Sequence, residues 1–330
     1  MKFLIKKREM VVFLSVVFIS IVIYLNNPNF LRPDNLIDIV KGNTVLAIMA
    51  MGMLLVIITR GIDVSVGAIL AAVTVLIGKF MVGWSGNVLL VLMVGCLSGA
   101  CLGTMNGILI AKLRIAPIVL TLATMSIING LTMYFSKGAW ISDFPPSFLA
   151  FGRLNLFRIP VGAGETIGFP VQILFFVGAA LTTWLILKFT LTGRAIYAMG
   201  GDPEAAERIG YDRNKITIFL YGYMGFMTGL AAVIHTSILG SVGAKTFSGV
   251  ELQVIAVVVL GGTNILGGAG TVFGTILGVF LLAIMNNGLV LMHIPVFWQK
   301  IVVGAVIVVV ASMDFLQRKH AERSLNKVDL

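Results

Sequence analysis

The side chains able to do covalent or metal chemistry are few. The 330 residues hold three histidines and two cysteines. His235, His293 and His320 lie too far apart for a metal-ligand or nucleophile–base spacing. Cys96 and Cys101 share one apolar segment, where their spacing points them in different directions. No paired carboxylates suited to acid–base work appear, and the phosphate-cradling pattern G-x-x-x-x-G-K-[S/T] is absent. The expectation is a chain with no catalytic residue, no metal and no cofactor of its own. What remains inside the apolar stretches are uncharged hydrogen-bonding groups. Thr121, Thr124, Asn129 and Thr132 fall on one helical face at 100° per residue, and Asn264, Asn286 and Asn287 add amides. Such groups suit the passage of a neutral, hydroxyl-rich solute, which a fixed charge would trap. A buried threonine also bonds its own preceding turn, so path and packing both stand as readings of that face. Asp63, with Arg60 beside it, is the clearest ionisable suspect at membrane depth. It either lies near the path or caps the helix that follows. Glu251 and His235 are expected at the outer interface.

One stretch carries a different kind of signal. Gly200-Gly201-Asp202-Pro203-Glu204-Ala205-Ala206-Glu207-Arg208-Ile209-Gly210 is polar and lies between two long apolar segments. Asp202 suits an N-cap, Pro203 the first helical position, and Glu204 the positive end of the helix dipole. Gly210 is placed to end the helix in the left-handed conformation. The spacing predicts about two turns of helix, roughly 10 Å long. A helix so short needs a docking surface to persist.

The composition says what holds these residues. The chain is 58% hydrophobic and 12% charged, with a mean hydropathy of +1.02, against about 25% charged in a soluble domain. It reads as an all-α, polytopic membrane protein forming one transmembrane domain over 1–330. Apolar stretches of spanning length occur near 10–25, 43–59, 64–82, 88–111, 115–136, 168–187, 216–239, 250–262, 271–292 and 299–315. The first, behind Lys2, Lys6, Lys7 and Arg8, lacks a small-x-small cleavage site and reads as an uncleaved span. Ten spans put both termini on one side. Placing that side in the cytoplasm leaves most of the 24 Lys and Arg residues inside, as the positive-inside rule requires. The loop of about 188–215 then faces the cytoplasm, and the loop of about 137–168 faces outward. The net charge of +10 is scattered over loop ends rather than gathered into a stripe, which argues against nucleic acid. The outer loop is apolar (Trp140, Phe148, Phe151, Phe157) and either lies in the lipid interface or meets a delivery protein.

Gly95, Gly99, Gly103 and Gly107 recur every fourth residue on one face, and Gly270, Gly274 and Gly278 repeat the idea. Glycines so spaced let helix backbones approach closely in lipid. Two turns also look alike, Gly61-Ile62-Asp63-Val64-Ser65-Val66-Gly67 and Gly262-Thr263-Asn264-Ile265-Leu266-Gly267-Gly268. Asn106-Gly107-Ile108-Leu109 and Asn287-Gly288-Leu289-Val290 form a second pair. Internal duplication with glycine-interrupted segments is common in transporters; a tight turn between helices is the competing reading.

These stretches resemble a family. Glu204-Ala205-Ala206, three residues, then Gly210 is similar to the cytoplasmic loop of ATP-binding-cassette importer permeases, although the family's later apolar residue and proline are missing at Phe219-Leu220-Tyr221-Gly222. The stretch 61–67, Val257-Val258-Val259-Leu260-Gly261-Gly262-Thr263 with Gly267-Gly268, and Asn286-Asn287-Gly288-Leu289 resemble permeases for monosaccharides such as ribose. The similarity runs from Asn27-Pro28-Asn29-Phe30 to the last span. The resemblance implies a bacterial inner-membrane subunit working as a pair, homo- or heterodimeric, with a periplasmic sugar-binding protein. It also implies a cytoplasmic ATPase that holds the ATP and pushes on Asp202, Pro203, Glu204, Ala205, Ala206 and Gly210. Ribose, xylose, galactose, rhamnose and autoinducer-2 are cargoes of similar permeases. The alternative is an ion-coupled secondary transporter, which needs buried carboxylates at mid-membrane depth; none is expected near the centre of a span.

Overall fold

The computed structural model describes residues 2–162 and 165–295, and beyond them 297–299, 301, 302, 304, 305 and 308. Helix α1 (Lys2–Asn26) leads through a short 3-10 turn (Pro28–Leu31) to α2 (Pro33–Ile58), α3 (Val66–Gly83), α4 (Val88–Leu113) and α5 (Pro117–Ser136). Next come α6 (Pro146–Gly152) and a hairpin of antiparallel strands β1 (Asn155–Gly162) and β2 (Glu165–Pro170). Then follow α7 (Gln172–Phe189), α8 (Leu191–Gly201), α9 (Pro203–Arg208), α10 (Arg213–Leu239), α11 (Val250–Leu260) and α12 (Val272–Leu291). Eight helices among the described residues are long and apolar enough to cross a membrane, so the all-α polytopic reading holds. The hairpin is the exception to all-α. It lies in the apolar 137–168 loop, where Phe144 and Phe148 bury their rings and stack edge to face.

Helix α2 is the axis of the bundle. Every residue from Leu46 to Ile58 is buried, which is why this stretch shows no amphipathic period: a helix apolar all round belongs inside. It starts at Pro33, ten residues before the span expected at 43–59, because Asp34, Asp38 and Lys41 interrupt the hydropathy without interrupting the helix. The glycine face of α4 finds its partner within the chain. Cβ atoms on Gly99 and Gly103 would collide with the carbonyl oxygens of Gly225 and Tyr221 in α10, and one on Gly229 with that of Gly95. The two helices touch backbone to backbone along this seam, the contact that small residues permit. Gly274 and Gly278 do the same for α12 against Gly261 and Val257 of α11.

The span expected at 250–262 is different in kind. Helix α11 has only 11 residues, about 16 Å at 1.5 Å per residue, roughly half the hydrocarbon thickness. The chain reaches it through a non-helical segment that begins beside the hairpin end, where Val242 exchanges backbone hydrogen bonds of 2.9 Å with Ile141. Phe247 and Glu251, further along, back onto Gly67 at the start of α3. Irregular backbone is tolerated at such depth only inside protein, and Val242, Phe247 and Glu251 are all buried. Glu251 is thus packed against the start of α3 rather than exposed. Its Oε1 accepts the Gly249 backbone N–H at 3.1 Å. His235 also turns inward, its ring edge on Phe247 at 4.6 Å and its Nδ1 buried. The span expected at 299–315 lies mostly outside the described residues.

Candidate functional site

The short loop helix forms as its punctuation dictates. Oδ1 of Asp202 accepts the backbone N–H groups of Glu204 (3.0 Å) and Ala205 (3.1 Å). At the other end Gly210 has φ +97°; its N–H donates to the Glu207 carbonyl at 3.0 Å, and the Tyr211 N–H donates to the Ala206 carbonyl at 3.1 Å. That pair of bonds is a Schellman closure. The helix sits at the end of the bundle opposite the hairpin. Ala206 is its one buried residue, pinning it to the body, while Asp202, Glu204, Ala205, Arg208 and Gly210 face outward. Ile209 is 73% exposed beside them. An exposed isoleucine among charges gives this face the apolar centre and polar rim that interfaces use. The next helix is capped in turn by Asp212, whose carboxyl is held below the usual range by the backbone N–H of Lys215.

Behind the loop helix, three segments distant in sequence meet. The Arg60 side chain donates from Nε to the Gly200 carbonyl at 3.0 Å and from its terminal nitrogen to the Gly201 carbonyl. The Gly268 N–H donates to the Ile58 carbonyl at 2.9 Å, and Tyr197 Oη to the Gly270 carbonyl at 2.8 Å. The two similar turns thus lie side by side. A cavity of about 730 Å³ opens beside them, lined by Arg60, Gly61, Arg114, Glu207, Tyr211 and Tyr221 among others.

Deeper in, the turn from Thr59 to Ser65 gathers polar groups from three helices. Oδ1 of Asp63 accepts the Ser65 hydroxyl at 2.6 Å and the Ser65 backbone N–H at 2.9 Å. Asn106 of α4 donates to the Ser65 hydroxyl at 2.9 Å. Thr121 of α5 accepts the Val64 N–H at 3.2 Å while bonding back to the Pro117 carbonyl at 2.9 Å, so its hydroxyl ties α5 to the turn as well as to its own preceding turn. Asp63 and Asn106 are completely buried, and Asp63 Oδ2, Asn106 Oδ1 and Tyr221 Oη have no hydrogen-bond partner among the described residues. Arg60 turns away from Asp63.

Of the other polar candidates, Thr124 adjoins this group, with its hydroxyl on the Thr121 carbonyl at 3.2 Å. Asn129 and Asn286 are half-buried and stand apart from it. Asn264 shapes its own turn, its side chain accepting the Leu266 N–H at 2.8 Å. Asn287 clasps Asn35 of α2 through bonds of 2.7 and 3.1 Å. Tyr197 and Tyr221 escaped the sequence reading as site residues because nothing local marks them, and Ser65 was marked only as part of the 61–67 stretch. Asn106 was marked only as half of a repeat, and Ile209 looked like one more apolar residue before a glycine. Asp63 and Glu251 are both buried, Asp63 in the turn before α3 and Glu251 in the first turn of α11, and neither lies at the centre of a long helix.

The profile of the family described as "Branched-chain amino acid transport system / permease component" matches residues 35–311. The chain belongs to this permease family. It is 36% identical over 314 residues to the ribose import permease protein RbsC of Haemophilus influenzae, covering 95% of this chain and 94% of that protein. It is 37% identical over 304 residues to RbsC of Bacillus subtilis, covering 92% and 91%. The autoinducer 2 import system permease protein LsrC of Yersinia pestis is 32% identical over 330 residues, covering 99% and 90%. No solved structure matches. The protein is accordingly a multi-pass inner-membrane permease of the ATP-binding-cassette importer type, a transport subunit rather than an enzyme. Its membership implies an ATPase partner and a periplasmic binding protein.

Proposed function

We propose that this permease carries a monosaccharide of the ribose type from periplasm to cytoplasm, with α9 as the element that the ATPase drives. The observation that carries the substrate class is near full-length identity of 36–37% to ribose permeases, a closer likeness than the branched-chain amino acid description of the broader family. Similarity to an autoinducer-2 permease keeps the class to sugars and sugar-like molecules. The amide and hydroxyls of Asn106, Ser65, Thr121 and Thr124 suit a hydroxylated cargo, and with Asp63 holding the Ser65 hydroxyl among them they are the favoured stretch of the path; Asn129, Asn264, Asn286 and Asn287 follow as lesser candidates. The termini and α9 face the cytoplasm in this reading, and ATP is bound by the partner chain. The working unit is a pair of permeases, two copies or this chain with a relative.

The test is reconstitution of permease, ATPase and binding protein in liposomes. Uptake of labelled ribose that requires ATP inside and binding protein outside is expected. Uptake by the permease alone, driven by a proton or sodium gradient, would instead establish an ion-coupled carrier that uses the buried Asp63 and Glu251.

A further inference from the structure

Arg60 has a left-handed backbone, φ +66°, a conformation that costs a residue with a Cβ and that glycine adopts freely. What arginine adds at this position is its side chain. Its planar fork holds two consecutive carbonyls, those of Gly200 and Gly201, and these two residues close α8 and lead straight into the Asp202 cap of α9. A Cβ on Gly200 would strike the Ile58 carbonyl and the backbone of Gly268, so the approach is as close as backbones allow. The far end of the same turn grips the membrane helices: Val64 on Thr121 of α5, and Ser65 on Asn106 of α4. Gly61 sits against Tyr221 Oη of α10. One short turn therefore has an end on the loop helix and an end on three helices of the bundle.

We infer that Arg60 is the positioning residue through which a displacement of α9 reseats the Asp63 turn against α4 and α10. Asp63 Oδ2, Asn106 Oδ1 and Tyr221 Oη, unpartnered among the described residues, are the spare bonding capacity that a second arrangement of this turn needs, since buried polar atoms are otherwise paired. Coupling through a packed structure requires an element with two discrete arrangements. Here the turn supplies it: a pull on Gly200 and Gly201 shifts Asp63 until its free oxygen accepts a hydrogen bond from the Tyr221 hydroxyl. Nothing in the resemblance to sugar permeases assigns Arg60 this part. The inference rests on α9 being the element that the ATPase drives.

The test compares Arg60→Gly, Arg60→Lys and Glu204→Lys in the reconstituted full complex. It reads labelled ribose taken up per ATP hydrolysed and the stimulation of hydrolysis by loaded binding protein, which reports coupling for any cargo. Arg60→Gly relieves the backbone while deleting the fork, so the Tm of the purified permease stays at or above that of the parent. Both coupling readouts are expected to fall about tenfold or more, within the usual span of coupling energies. Arg60→Lys, a single point donor in place of the fork, lies between. Parental coupling in Arg60→Gly beside a defective Glu204→Lys overturns the role of Arg60 alone. Parental coupling in Glu204→Lys overturns the assignment of α9 beneath it. A coupling loss that tracks a lowered Tm, and disappears on cooling, reduces Arg60 to scaffold.

Discussion

The α4–α10 seam and the junction behind α9 are both places where backbones nearly touch, yet they are built for opposite ends. Along the seam, Gly95, Gly99 and Gly103 lie against Tyr221, Gly225 and Gly229 with no side chain between. Such a contact leaves little room for a second arrangement, and α4 and α10 are expected to travel as one body. At the junction the contact is made by hydrogen bonds from Arg60, Gly268 and Tyr197 to carbonyls of other segments. These exchange partners at little cost, because a typical net hydrogen bond contributes about 1 kcal/mol. Beside it lie buried polar atoms with no partner among the described residues. The contrast predicts that a permease of this kind bends at its polar junction, around a glycine-welded pair of helices.

Substitutions can break that contrast in a graded way. Gly103→Leu drives a side chain into the Tyr221 carbonyl and has the largest expected effect, a loss of about 3 kcal/mol or more. It is read as loss of folded, detergent-extractable protein; normal yield with a parental Tm would mean that the seam is not welded. Glu204→Lys reverses a charge on the outward face of α9 and touches nothing inside. It should abolish most ATP-driven uptake while leaving extraction and Tm alone, and normal uptake would remove α9 from the drive. Asp202→Ala deletes the cap of the same helix, a local cost of about 1 kcal/mol. Partial uptake with unchanged Tm is expected, measured against the Glu204 variant in one vesicle preparation. Arg208→Ala is the smallest: its ion pair with Glu204 at 3.7 Å is almost fully exposed, and exposed pairs contribute little. Uptake should stay within twofold of the parent, roughly 0.4 kcal/mol, and a larger loss would show that Arg208 itself meets the ATPase.

Legibility in the sequence followed the same divide. Features set by local chemistry were readable: the Asp202 cap, the left-handed Gly210, the glycine face of α4 and the long apolar spans. The α2 start was misplaced because three charges near Pro33 resemble a boundary by hydropathy, whereas helix geometry passes through them. The half-length α11 read as a span because Val254 to Leu260 is an unbroken apolar run, and hydropathy alone does not weigh helix length against membrane thickness. The junction was invisible, since Arg60, Tyr197 and Gly268 meet only after three helices have folded back. Asp63 was visible as a suspect, but Asn106, Thr121 and Tyr221, which gather around its turn, come from three different helices, and no spacing along the chain announces them.

The central claim is that α9 is the surface on which the ATPase acts, and crosslinking tests it most directly. Ala205 is the position to use, since it faces outward while Ala206 is buried. In a Cys96→Ala, Cys101→Ala background, Ala205→Cys is expressed in native cells and treated with a short bifunctional thiol reagent. A crosslink to the ATPase whose yield changes with bound nucleotide is the expected result. A thiol that reacts freely from the cytoplasm yet joins no ATPase in any nucleotide state would contradict the account.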